Sequence, residues 1–511
     1  MAGTGALLIA PVMSGCNGRA QSSHTENKGK YSGTIVPSDK RKRYLFLDDH
    51  WISRQSGVTR TFHKAVRDNN NPVITRQNYD KGVGPYNFSW IKKDSPYSAL
   101  FGTFELDGRY PAFFITSDDG YKWSDACREP DAMTVGEGNK QCAIYVYDKS
   151  GLYSDYPYLS AVGLRFAPDC DSFHWRFRRS RDGIRWETFP VDPVWDGPSD
   201  VLSIIWDDYK KKYVAYYKVW RYKGTTLEGE PFVAYGHLDT KIEEGGTVFH
   251  LTGTTYLPRQ KIDVRLQYGG DTSNDGGGAP TDAKMQMARM IAYAESSDFL
   301  HWENEQIIIA PPDDAPLGDQ SYGMGVNCYG GMYIGMYSHF NSLTGLIQPM
   351  VAWSYDGIHF TVHDRQFFID SGKRDEWDYG YILPSELMET DGGQLFVYYG
   401  SLGIDHLETD MTRCDGGIGR AWIRQDGFAS LKGGWMETIP LKVQRKRMSI
   451  NMTGEIVLSL KSASGETIGK KTALRGDHHN LEVGIDLSAW NDKEVIVHLD
   501  LSKGEVFSIT I

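Results

Sequence analysis

The sequence predicts an all-β fold, a five-bladed β-propeller followed by a small C-terminal β-sandwich. Three observations carry that expectation. An Asp-Gly hairpin motif recurs along the chain, Tyr- and Val-rich runs of strand length lie between its copies, and apolar and polar residues alternate strictly after residue 434.

The first copy of the motif is Thr116-Ser117-Asp118-Asp119-Gly120-Tyr121-Lys122-Trp123, and the second is Arg179-Ser180-Arg181-Asp182-Gly183-Ile184-Arg185-Trp186. Glu295-Ser296-Ser297-Asp298-Phe299-Leu300-His301-Trp302 and Trp353-Ser354-Tyr355-Asp356-Gly357-Ile358-His359-Phe360 follow, and Ile423-Arg424-Gln425-Asp426-Gly427-Phe428 is a worn fifth copy. Asp-Gly supplies a tight turn, and the aromatic returns on the next strand to pack. Runs such as Tyr97–Phe104, Tyr213–Val219, Met332–Tyr337 and Gln394–Tyr399 precede the turns, so each segment reads as four short strands. The blades are expected near 84–126, 139–190, 198–306, 319–365 and 376–430. The long third interval holds an insertion at about 223–284, whose tract Gly269–Gly278 suits a surface loop. Alternation in Glu455–Leu460 and Glu494–Leu499 marks the sandwich. The expected domains are a leader and tether at 1–40, the propeller at 41–433 and the sandwich at 434–511.

Composition fits this organisation. The chain has 511 residues, 40% hydrophobic and 24% charged, enough for two or three domains with a sizeable core. Aromatics make up 13%, with 30 Tyr and 14 Trp. The net charge of −11 argues against a general nucleic-acid binder, which needs a basic face. No run of eighteen apolar residues occurs. Met13-Ser14-Gly15-Cys16 resembles a bacterial lipoprotein cleavage box, and residues 17–40 suit a polar tether. The expectation is export to the periplasm or outer membrane, with membrane contact only through a lipid anchor at Cys16. Cys127, Cys142, Cys170, Cys328 and Cys414 have irregular spacing and no CxxC, as expected of buried small hydrophobes, although one pair could bridge.

The opening Tyr44-Leu45-Phe46-Leu47-Asp48-Asp49-His50-Trp51-Ile52, then Asn70-Asn71-Pro72-Val73-Ile74, resembles the five-bladed propeller glycoside hydrolases of the family 32-like and family 43-like groups. Asp200 ahead of Trp206-Asp207-Asp208, Asp319-Gln320-Ser321-Tyr322-Gly323-Met324, Asp375-Glu376-Trp377-Asp378-Tyr379-Gly380 and Leu474-Arg475-Gly476-Asp477 extend the likeness over nearly all of 43–511. It implies a carbohydrate substrate, hydrolysis at one mouth of the propeller and no cofactor. A structural calcium ion on the axis is allowed but not placed, and no metal-ligand spacing occurs in the sequence.

Glycoside cleavage needs two carboxyl groups flanking the bond, one protonated and one ionised. Inner-strand starts converge on the axis, so acids at those positions are the candidates. They are Asp319, Glu376 and Asp378 as working acids, with Asp200 as modulator or sugar ligand. Asp48, Asp49, Tyr86, Trp90, Trp220, Tyr322, His339, Trp377 and Tyr379 are expected to bind substrate, the aromatics as stacking platforms. Each acid also suits a turn or cap. Asp119, Asp182 and Asp356 are read as structural. The sequence departs from the family pattern at Gly84–Trp90 and at Asn139–Cys142, where the first two inner strands carry no acid. A lyase acting on a uronate-containing glycan is the alternative, drawing on His63, Arg67, Tyr86, His174, Arg176, Arg178, Arg221, His237, Arg289, His339 and Tyr379. The run Phe173–Arg179 is read as a solvated outer strand. A non-catalytic glycan-binding protein is the third reading.

Overall fold

The computed structural model describes residues 43–75, 85–92, 97–103, 111–118, 122–124, 127–128, 139–165, 174–243, 245–256, 258–268, 285–311, 318–390, 392–408 and 410–511. The lipoprotein-like segment, Cys170, the 269–284 tract and the Asp119-Gly120 turn lie outside them. The fold is all-β, and its described helical elements are two 3₁₀ turns, Met411–Arg413 and Ser488–Trp490. Among the described residues no helix is long and apolar enough to cross a membrane. Cys142, Cys328 and Cys414 are free thiols.

Five antiparallel units follow one another. The first comprises Pro85–Lys92, Tyr97–Thr103, Ala112–Ser117 and Cys127–Arg128, and the second Asn139–Tyr147, Tyr158–Arg165, His174–Ser180 and Trp186–Thr188. The third comprises Leu202–Asp207, Lys212–Thr225, Met285–Ser296 and Glu303–Ile309, and the fourth Asp319–Tyr329, Met332–Asn341, Leu346–Ser354 and Thr361–Val362. The fifth comprises Tyr381–Glu389, Gln394–Leu402 and Gly416–Arg424, and its outer strand is Val66–Arg67 from the N-terminal part of the chain. The leading strand of each unit packs against that of the next, and the fifth packs back on the first, closing a ring. A single parallel bridge, Ile347 to Tyr381, joins the fourth and fifth units into one sheet.

The recurrent motif does what its residue types suggest. Asp182, Asp298 and Asp356 each accept two backbone N–H groups two and three residues on, at 2.7–2.9 Å. The preceding Ser hydroxyl bonds the same carboxylate. Gly183 and Gly357 take positive φ there, +77° and +75°, which a Cβ would disfavour. Phe299 holds that conformation in the third copy (φ +67°), and its ring is buried against Phe177 and Tyr213. The fifth copy differs, because Asp426 itself takes the positive φ and is buried, bonded by the Tyr329 and Ser508 hydroxyls.

Neighbouring units are pinned where the leading strands end. Tyr213 of the third unit donates to Asp148 of the second, Tyr333 of the fourth donates to buried Asp207 of the third at 2.7 Å, and the Leu387 N–H of the fifth donates to Asn327 of the fourth at 2.8 Å. The insertion in the third unit adds Pro231–Gly236 to that sheet and folds Asp239–Ile242, Val248–Tyr256 and Arg259–Gln267 into a separate three-stranded sheet. Its own core centres on Leu238, Leu251 and Leu266.

Two corrections concern the boundaries and the outer strands. The C-terminal strands do not stand apart from 41–433. Ala429–Lys432, Trp435–Thr438, Leu441–Lys442, Arg447–Ser462, Thr467–Asp486 and Glu494–Thr510 form one nine-stranded sheet with Tyr44–Leu45, Ile52–Ser56 and Thr59–Phe62. One apolar core runs from Ile450, Leu458 and Leu499 into Val351, Tyr355 and Tyr399 of the ring, so the sheet buries its inner face on the fourth and fifth units. Strand edges need partners, and the N-terminal strands supply them. The run around His174–Ser180 is not solvated: His174, Trp175, Phe177 and Arg178 are buried, because it is an interior strand of its unit whose faces both meet neighbours.

Replacing Tyr333 with Phe leaves the buried Asp207 carboxylate short of a donor. The expected loss is about 1–3 kcal/mol of stability, read from urea denaturation.

Candidate active site

The leading strands of all five units border one axial cavity of about 190 Å³, whose lining includes Phe88, Cys142, Asp200, Tyr322, Ser338 and Glu386. Asp200 stands two residues before Leu202–Asp207, at the mouth, and its side chain is 41% exposed. Its Oδ1 lies 2.7 Å from the Lys218 ammonium and accepts the Ser199 hydroxyl at 2.7 Å. Ser199 in turn lies 3.1 Å from His237 Nδ1, so the insertion reaches the carboxylate through one hydroxyl. Burial opposes ionisation of Asp200, but the Lys218 charge and hydrogen bond, Ser199 and His237 outweigh it and hold the carboxyl well below the usual range. Burial pushes Lys218 down, Asp200 pulls it back up and Arg289 pushes it down again.

Aromatic rings surround this pair. The Lys218 ammonium lies 4.6 Å from the Tyr322 ring centre and 5.7 Å from that of Trp220. The buried Arg289 guanidinium lies 4.4 Å from Trp220 and 4.5 Å from Phe340, and it donates to Gln320 Oε1 at 2.8 Å. The Tyr322 hydroxyl meets His406 Nε2 at 3.2 Å. These cation–ring contacts hold two basic groups in a small volume beside one carboxylate.

A second acid stands on the next unit. Asp319 opens Asp319–Tyr329, and its Oδ1 is 3.1 Å from His339 Nε2 on the adjacent strand. Asp319 is 35% exposed and His339 15%. Of the residues singled out from the sequence, Asp200 and Trp220 stand on the third unit and Asp319, Tyr322 and His339 on the fourth.

The other sequence candidates have different surroundings. Asp378 is buried, paired with Arg67 at 2.7 Å and bonded by the Tyr399 hydroxyl at 3.2 Å. Glu376 is exposed and accepts the Lys373 N–H at 2.8 Å, while Tyr379 donates its N–H to the Glu376 carbonyl at 3.2 Å. Trp377 stacks on Tyr399, ring centres 5.8 Å apart, over Gly417 and Gly419. The Arg67–Asp378 pair secures the fifth unit to the strand that closes it, so Asp378 is enclosed by its partners, while Glu376 stands exposed on the preceding turn. Asp48 accepts the Trp353 indole N–H and the Tyr355 hydroxyl, each at 2.8 Å, and Asp49 pairs with Arg60. Asp48 thus ties the N-terminal strands of that sheet to the fourth unit, and Asp49 pairs within the sheet. Of the lyase candidates, His63 bonds Ser430 in that sheet and Arg176 pairs with Asp192. The side chains of Tyr86 and Trp90 lie outside the described residues, on the leading strand of the first unit.

Sequence reasoning missed Lys218, Ser199 and Glu386. Lys218 interrupts Tyr213–Trp220, an otherwise apolar run, and a lone cation in such a run signals a buried charge needing a partner. Glu386 lies inside Tyr381–Glu389 at a bulge between Pro384 and Leu387, which re-aims side chains. Nothing in the local pattern marks it.

A larger space of about 650 Å³ lies at the far end, between Asp208, Gly330 and Glu389 of the ring and Asn451 and Thr510 of the C-terminal sheet. Its acids are engaged: Asp426 with Arg43, Tyr329 and Ser508, and Glu389 with Arg43 and Gln425. Among the described residues no three His, Cys, Asp or Glu side chains converge to hold a metal.

No protein-family model and no curated protein matches the chain. Among solved structures it is similar to a chain described as a glycoside hydrolase, at 12% identity over 71% of this chain and 92% of that one, with a TM-score of 0.43. It is similar to an N-acetylgalactosamine deacetylase from F. plautii, at 11% identity over 73% and 96%, TM-score 0.41. A GH32 beta-fructofuranosidase of Bombyx mori is similar at 11% identity over 88% and 93%, TM-score 0.37. These likenesses are distant, and the chemistry of the site is taken from its own residues.

Asp378→Asn is expected to lower stability by about 1–3 kcal/mol in urea denaturation, and Glu376→Gln to stay within about 0.5 kcal/mol of wild type. Asp200 is more acidic folded than unfolded, so its contribution is complete above its unfolded value of about pH 4 and is lost as pH falls below that. The gap in melting temperature between wild type and Asp200→Asn should therefore hold constant from about pH 5 to 7 and narrow toward about pH 2.

Proposed function

We propose that the chain is a glycoside hydrolase on a five-bladed propeller, and that Asp200 and Glu386 are its working carboxyls. One observation carries this reading: acids from the third and fifth units line the same axial cavity. Glycosidic cleavage requires such a pair. One carboxylic acid protonates the leaving oxygen, and one carboxylate faces the positive charge that develops on the sugar ring and the incoming nucleophile. Asp200, beside Lys218, supplies the ionised member, and Glu386 donates the proton. The Asp319–His339 pair and the Trp220 and Tyr322 rings form the rim that holds the sugar.

The insertion, which reaches Asp200 through His237 and Ser199, forms one wall and favours exo action on chain ends. Export with a lipid anchor at Cys16 completes the proposal and rests on the leader sequence alone. The lyase reading keeps one supporting observation: Lys218 and Arg289 pack against the same Trp220 and Tyr322 rings behind the cavity wall, and positive charge there would favour a uronate carboxylate in front of it.

One assay separates the readings. The protein is incubated with a panel of plant and algal polysaccharides and oligosaccharides, and reducing ends and ultraviolet absorbance are read together. The expected outcome is new reducing ends without absorbance, reduced roughly 10²–10⁴-fold in Asp200→Asn and in Glu386→Gln and unchanged in Glu376→Gln. Rising absorbance with both carboxamide variants active would replace hydrolysis by elimination. Glycan retention without turnover would leave a binding protein.

A further inference from the structure

Lys218 sits in Lys212–Thr225, the second strand of the third unit, with its side chain 3% exposed. An ammonium in that position is costly, and an apolar residue of its size would pack as well against the neighbouring rings. Its partner carboxylate is the more exposed member of the pair, as Asp68 is to a smaller degree in the Arg420–Asp68 pair. In the Arg67–Asp378 pair and in the pair of Lys461 with Glu437, the carboxylate is buried and the cation is the more exposed member. At Lys218–Asp200 the order is reversed, with the cation sealed behind and the carboxylate 41% exposed beside the cavity.

We infer that Lys218 is a positioning residue of the reaction, an ammonium fixed behind Asp200 that holds its carboxylate turned into the axial cavity. This rests on the hydrolase reading in one respect, that Asp200 acts as the carboxylate. The groups around Asp200 are consistent with that role. Ser199 bonds the same oxygen as Lys218, and His237 acts through Ser199. Arg289 stands beyond Lys218, and the Cys142 thiol is spent on the Asp200 backbone carbonyl at 3.3 Å. Tyr322 covers the ammonium, and Glu386 lines the same cavity from the fifth unit. Lys218 is thus the one cation in hydrogen-bond contact with the Asp200 carboxylate among the described residues.

The test uses Lys218→Met and Lys218→Arg in the full chain, with melting curves to establish that each folds. Titration of Asp200 is followed by carboxyl carbon NMR on protein labelled at Asp, the resonance being identified by its loss in Asp200→Asn. This readout needs no substrate. In Lys218→Met the Asp200 titration is expected to move up by about one pH unit or more, and Lys218→Arg to restore most of it. On the oligosaccharide that the panel identifies, Lys218→Met is expected to lower kcat at least about tenfold with KM changed less than about twofold, and to move the acid limb of the pH profile upward. An unmoved Asp200 titration in folded Lys218→Met, or an unchanged kcat, overturns the inference and leaves hydrolysis standing. If Lys218→Met does not fold, Lys218→Gln decides by the same criteria: an Asp200 titration moved up with reduced kcat supports positioning, and a wild-type titration or kcat overturns it. Wild-type protein without hydrolysis on any panel member removes the hydrolase reading, and the titration then judges Lys218 separately.

Discussion

Closure of the ring by two residues from the beginning of the described chain is the constraint on which the site depends. Val66 and Arg67 pair with Trp422 and Ala421, completing the fifth unit with a strand more than 300 residues away in sequence. The joint is polar and tightly matched. Asp68 pairs with buried Arg420, Asn71 exchanges two hydrogen bonds with the Arg420 backbone at 2.8 and 2.9 Å, and Arg67 pairs with Asp378. Breaking one partner of a buried pair strands the other's charge, so such a joint is costly to open. With the joint made, the fifth leading strand meets the first, and Phe88 stacks on Tyr398 at 5.0 Å across that seam. Only a closed ring brings strands that begin at residues 85, 139, 202, 319 and 381 around one axis.

The acids divide by what surrounds them. Asp182, Asp298 and Asp356 spend their oxygens on turn backbone, Asp207 and Asp148 on tyrosines of the next unit, and Asp48 on Trp353 and Tyr355. Each is a connector: Asp148, Asp207 and Asp356 are buried, and Asp182 and Asp298, about as exposed as Asp200, stand on the turns of the repeated motif and not in the cavity lining. Asp200 and Asp319 have partners too, but they retain substantial exposure at the mouth. A carboxylate supported from behind and open in front can meet a ligand, whereas one enclosed by donors cannot. This distinction separates Asp200 from Asp378 although both sit in ion pairs.

The two ends of the ring have different tasks. At the end where the leading strands finish, the nine-stranded sheet packs through a shared apolar core that includes Tyr44, Trp353, Tyr399 and Ile509. Both termini of the described chain enter that sheet, Tyr44–Leu45 pairing directly with Ile509 and Ser508. The opposite end, where the leading strands begin, carries Asp200, Lys218, Asp319 and His339.

Much of the architecture was legible in the sequence because it rests on local rules. The Ser-x-Asp-Gly turn is built from hydrogen bonds within a few residues, so its copies mark hairpins, and alternation after residue 434 marks strands. The heads of the third and fourth units could also be read, since Asp200 precedes and Asp319 opens an apolar strand, and the register pairs His339 with Ser321, two positions from Asp319. Other features were decided by tertiary structure because their partners are remote. Val66–Arg67 is too short to announce a strand until Gly416–Arg424 lies beside it. Asp378 looks like a catalytic acid until Arg67 meets it, and Glu386 looks like an ordinary strand residue until the bulge and four other units enclose it. The sequence by itself determined the strands, the turns and the residue types available for chemistry, since those follow from contacts between near neighbours. The tertiary structure alone decided which acids are enclosed and which face the cavity, because that depends on charges and rings brought together across hundreds of residues.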